Sequence, residues 1–77
     1  MSRVGAGKKV TVVTVQHDVL KVSKAAHDGD DEKAHSLEDD LHLSVLEAIA
    51  EGRCESPASC AREASKTKNI RFARHAA

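Results

Sequence analysis

The sequence predicts an α+β fold, an N-terminal β-strand or hairpin followed by a two-helix unit. Three observations predict it. Residues 9–16 read K-V-T-V-V-T-V-Q, a run of β-branched side chains; apolar residues recur at helical spacing across residues 37–51; and Ser56-Pro57 opens a second helical stretch just after Gly52. Stiff β-branched side chains suit a pleated strand, whereas a 3.6-residue apolar period marks a helix.

Residues 1–8, with Gly5 and Gly7 and little to bury, are expected to form a flexible tail, leaving 9–77 as one small domain. In the strand that follows, Val10 and Val12 alternate with Thr11 and Val13, so at least one face is apolar. Residues 18–27 allow two readings. Asp18 can cap a short helix with Val19, Val22 and Ala26 on one face, or residues 19–23 can pair back on the first strand as a hairpin. His27-Asp28-Gly29-Asp30-Asp31 is a polar break that lacks the ligand order of a calcium loop.

The next element is a helix. Ser36-Leu37-Glu38-Asp39 has the spacing of a capping box, and Glu38, Asp39 and Asp40 would then sit in the first turn, where the helix dipole favours acids. The start can also lie earlier, near Asp31. Leu37, Leu41, Val45, Ala48 and Ile49 form one stripe, and Leu43, Leu46 and Ala50 widen it. A stripe that wide belongs to a central helix, or to one that also meets another chain. Gly52 is placed to end it. A second helix is expected over residues 57–66, with Ser56 at the N-cap, Pro57 in the first turn, and Cys60, Ala61 and Ala64 facing inward. Ile70 and Phe72 can dock as a short extended tail.

A 77-residue chain with one Phe and neither Tyr nor Trp must build its core from aliphatic side chains. Chains of this size bury only about 60% of their extended surface, so a homodimer is a natural remedy, and a water-excluding catalytic pocket is hard to build. The expectation is therefore a non-enzymatic protein without cofactor. No apolar run approaches the ~18 residues of a membrane span, and no signal-peptide core follows Met1, so a cytoplasmic location without membrane contact is expected.

The formal net charge is zero but segregated: +4 over residues 1–27, −8 over 28–55 and +4 over 56–77. Such blocks can steer partners or neutralise one another. The five histidines include His35 and His42, seven apart and about 10 Å along a helix, too far for one ion. Cys54 and Cys60 lack the spacing common in zinc sites, so no metal site is expected, and in a reducing compartment both should be thiols. Gly5-Ala6-Gly7-Lys8-Lys9 lacks the full phosphate-loop pattern.

The basic strand followed by two helices resembles the ribbon-helix-helix arrangement of small repressors and antitoxins. That resemblance implies a dimer whose paired strands enter the major groove, with Lys9, Thr11 and Val13, or Val10, Val12, Thr14 and Gln16, on the outward face; Lys8, Lys9 and Thr11 are the candidate nucleic-acid contacts. Two features depart from it: both strand faces are Val-rich, and the acids that open the second helix repel phosphate. Over residues 36–74, L-E-D-D-L-H-L-S-V-L-E-A-I-A-E-G, C-A-R-E-A and N-I-R-F look like small accessory proteins of phages and prophages. That resemblance implies a stoichiometric regulator or inhibitor of host machinery. The leading expectation is a regulator that binds a larger protein partner through the acidic face Asp40, Glu47 and Glu51, because an acidic stripe can imitate nucleic-acid phosphate. The alternative is the DNA-binding repressor.

Overall fold

In a computed structural model, which describes residues 8–74, the chain forms three α-helices: α1 Val12–His27, α2 Asp31–Ala50 and α3 Pro57–Ser65. A 3-10 turn, Lys66–Asn69, follows α3; Ile70 is extended, and residues 71–74 have no regular secondary structure. The described residues contain no strand and are mostly α-helical, which overturns the expected α+β class. The expected N-terminal tail falls, except for Lys8, outside the described residues.

Of the stretch read as a strand, residues 12–16 begin α1 and residues 9–11 lead into it. Thr11 caps it: its hydroxyl accepts from the Thr14 amide at 3.2 Å, and the Thr14 hydroxyl accepts from the Thr11 amide at 3.0 Å. This reciprocal pair satisfies two donors that a helix start leaves open. β-Branched residues cost a helix only a few tenths of a kcal/mol each. Burial outweighs that cost, because Val15 and Val22 are fully buried and Val12, Val19 and Ala26 pack beside them at helical spacing. The same stripe decides residues 18–27, which continue the helix and form no hairpin.

The connection between α1 and α2 is short and fully bonded. The Gly29 amide donates to Ala26 O at 3.0 Å and the Asp30 amide to Ala25 O at 2.9 Å, with Gly29 at φ 81°. This is a Schellman closure, which needs a left-handed residue that glycine adopts without strain. The Asp30 carboxylate then accepts from the Lys33 amide at 3.1 Å and starts α2. The helix therefore begins ahead of Ser36, and the Ser36–Asp39 spacing lies within it. At the far end the pattern recurs: Gly52 (φ 72°) donates to Ile49 O, and Arg53 donates to Ala48 O at 2.8 Å. Gly52 ends α2 as its position in the sequence implies.

The connection to α3 passes beneath the start of the chain. Val10 and Cys54 form an isolated parallel bridge, in which the Val10 amide donates to Arg53 O at 2.8 Å and the Glu55 amide to Val10 O at 2.9 Å. Ser56, at φ 59°, turns the chain into α3 but makes no side-chain cap, unlike the expected role of its hydroxyl. Pro57 occupies the first turn, where a missing amide proton costs nothing.

Two small clusters make the core. Val15, Leu41, Val45, Cys60 and Ala64 join all three helices, and Val22, Ala25 and Ala34 join α1 to α2 under the docked side chains of Ile70 and Phe72. All three helices pack against one another, and α1, which also meets the 3-10 turn, is in contact with every other element, so α2 is not the single central helix. No helix among the described residues is long and apolar enough to cross a membrane.

Candidate protein-binding groove

The wide apolar stripe of α2 is only partly used by the core. Its centre (Ala34, Leu41, Val45, Ala48) is buried, whereas on the flank toward α3 Leu46 is 64% exposed and Ile49 37%, and Leu43, at 46%, points away from the core. Between this flank and α3 runs an open groove of about 250 Å³, lined by His42, Val45, Leu46, Ile49, Ala61 and Ser65 among others. α3 contributes small side chains here. Ala61, expected to face inward, is exposed on the groove wall instead. Alanine and serine leave the gap open, and leucine and isoleucine supply its apolar lip.

A buried polar network holds the groove's floor. His42 Nε2 lies 3.2 Å from Ala64 O and 3.0 Å from Thr67 Oγ1, tying α2 to the end of α3. One turn earlier on the same face, Glu38 is only 6% exposed and receives a two-point clamp from Arg74: Nε to Oε1 at 2.8 Å and Nη2 to Oε2 at 3.1 Å. Arg74 Nη2 also donates to Thr67 O at 2.7 Å and Ile70 O at 3.0 Å, and its guanidinium lies 3.8 Å from the centre of the Phe72 ring. Burial by itself would raise the Glu38 carboxyl. The Arg74 and Thr67 hydrogen bonds, with the positive charge of Arg74, outweigh burial and hold it below its ordinary value. The Glu38 hydrogen bond in turn raises Arg74. Glu38, expected to complement the dipole of a first turn, is thus the interior anchor of the C-terminal segment.

The residues expected from sequence to bind a partner lie elsewhere. Asp40 and Glu47, seven residues apart on one face of α2, and Glu51, which caps its end, do not line the groove. Asp40 borders a cleft of about 120 Å³ with Asp18, Lys21 and Ser44. Glu51 is held by Arg53 in an ion pair of 2.6 Å, so this acid is already matched within the chain.

The strand-based nucleic-acid alternative loses its basis. Lys8 and Lys9 are exposed, but Thr11 is a helix cap, and no strand exists among the described residues to pair across a dimer. Lys8 O accepts from Arg53 Nη1 at 2.7 Å, which fixes this segment to the α2–α3 connection.

His35 pairs with Asp39 at 3.4 Å on the surface of α2, and His75 lies outside the described residues. Among the described residues no three His, Cys, Asp or Glu side chains gather as a metal site would require. The groove was half legible beforehand: Leu43 and Leu46 marked a stripe wider than one buried face needs, but only the fold reveals which flank stays open. Comparison with protein-family models, curated proteins and solved structures finds no match to this chain.

Proposed function

We propose that this protein is a small non-enzymatic regulator that acts by stoichiometric binding, seating an apolar helix of a larger protein in the groove between α2 and α3. One observation carries the reading: Leu46 and Ile49 remain exposed beside a groove whose far wall is alanine and serine. Scattered exposed leucines are ordinary, but a contiguous apolar lip along an open groove is how proteins accept an amphipathic helix. A stoichiometric role is also what the phage-accessory resemblance of residues 36–74 implies. The acidic flank bearing Asp40 and Glu47 then belongs to the surroundings of the contact.

The test captures the partner with the intact protein and then measures its affinity for variants. Leu46→Asp and Ala61→Arg should each weaken binding by at least about 30-fold, the range of a central interface residue. Asp40→Lys combined with Glu47→Lys should change it less than about threefold, roughly 0.6 kcal/mol. The opposite ranking would return the contact to the acidic face. If Leu46→Asp instead converts a dimer into a folded monomer, the groove is filled by a second copy of this chain.

A further inference from the structure

The chain has two cysteines, and the fold brings both to one backbone oxygen. Cys60 Sγ donates to Glu55 O at 3.2 Å and Cys54 Sγ reaches the same oxygen at 3.9 Å. Both backbones are held in place: Cys54 by its bridge to Val10, and Cys60 by the first turn of α3, where its amide donates to Ser56 O at 3.0 Å. The left-handed turn at Ser56 folds the chain back so that the start of α3 meets Cys54. The two thiols are unequal. Cys60 is fully buried and Cys54 half-buried. Burial, and then the neighbouring Cys54 thiol, push Cys60 up to about 11.

We propose that Cys54 and Cys60 form a dithiol site for thiol–disulfide exchange with low-molecular-weight disulfides of the glutathione type. The reaction has two steps. The more accessible Cys54, as its thiolate, attacks one sulfur of the small disulfide, forming a mixed disulfide and expelling one thiolate. Cys60 then loses its proton, and its sulfur attacks Cys54 Sγ, expelling the second thiolate and closing the Cys54–Cys60 bond. The protein gives up two electrons and two protons, and the small disulfide becomes two thiols. Accessibility sets the order of attack: Cys54 is the entry point and Cys60 the resolving residue. The product staples the α2–α3 connection to the first turn of α3 and, through the Val10 bridge, to the start of α1. Neither thiol lines the groove, although Cys60 packs with Val45 and Ala64, which do.

The experiment incubates the intact, folded protein with oxidised glutathione in graded redox buffers and follows intact mass. Wild type should lose about 2 Da, with both thiols protected from alkylation, and the oxidised form should melt about 5–10 °C higher. Cys60→Ala should stop at the glutathione adduct on Cys54, and Cys54→Ala should stay largely unmodified while folded. A stable adduct on wild type without closure would overturn the proposal. So would cross-linked dimers as the main product, or thiols that oxidise only after unfolding. Because wild-type mass and protection are read directly, an unfolded Cys60 variant leaves the test intact.

Discussion

Replacing Arg74 by alanine removes both hydrogen bonds to Glu38, two more to the Thr67 and Ile70 carbonyls, and the cation over Phe72. Breaking a fully buried pair by deleting one member costs about 3–5 kcal/mol. The Arg74 side chain is 35% exposed, so water screens part of the interaction and can reach the carboxylate left behind. The expected loss is therefore about 2–3 kcal/mol. For a chain of this size that lowers the melting temperature by about 10–20 °C. The pH dependence gives a sharper test. The folded-state carboxyl of Glu38 is held below its ordinary value, so the clasp contributes fully above the unfolded carboxyl range, and its contribution is lost as pH falls through the lower folded value. Urea denaturation of wild type and Arg74→Ala should give a large gap at about pH 7 and a much reduced one near pH 3. In a double-mutant cycle at neutral pH, Arg74→Ala should cost less in the Glu38→Gln background than in wild type. A gap below about 0.5 kcal/mol at neutral pH, or an equal gap at both pH values, would refute the argument that a buried charge holds the C-terminal segment.

Asp30→Ala removes the side chain that caps α2 and should cost about 1 kcal/mol, read as a lower denaturant midpoint with unchanged slope. Gly29→Ala forces a side chain into a left-handed conformation at φ 81° and should cost about 1 kcal/mol although space for the methyl is open; a neutral result would mean that the connection relaxes. Leu41→Ala in the core should cost about 2–4 kcal/mol, whereas Leu46→Ala on the groove lip should stay within about 0.5 kcal/mol, and equal costs would mean that the lip is packed in solution.

The helical half of the molecule was readable because its signals are local. The apolar stripe of α2, Gly52 as its terminator, Pro57 in the first turn of α3, and Cys60 and Ala64 facing inward all follow from spacing within one or two turns. The error at residues 9–16 came from weighing composition over too short a window. Eight β-branched-rich residues favour a strand, but the valines at positions 12, 15, 19 and 22 repeat with a helical period that becomes visible only when residues 18–27 are included. The Thr11–Thr14 cap is the matching signal in the sequence. Ser36–Asp39 misled in the opposite direction, since a cap spacing inside a helix has no free amides to satisfy. Glu38 could not be assigned locally at all, because Arg74 lies 36 residues away and only folding brings them together.

Asp30 ends one helix with its amide and begins the next with its carboxylate, so the α1–α2 connection has no spare residue. One inserted residue would break the closure of α1, the start of α2, or the register of Val22 and Ala25 against Ala34. The helical hairpin is therefore the least adjustable part of the molecule and, being built from contacts close in sequence, the part suited to form first. α3 and the segment behind it are joined to the hairpin by side chains and one short bridge. In a hydrogen-exchange experiment, the amides of α1 and the middle of α2 should open only with global unfolding. Those of α3 should exchange through a smaller, earlier opening, so an insertion that adds reach to this protein belongs after Gly52 and not at Gly29.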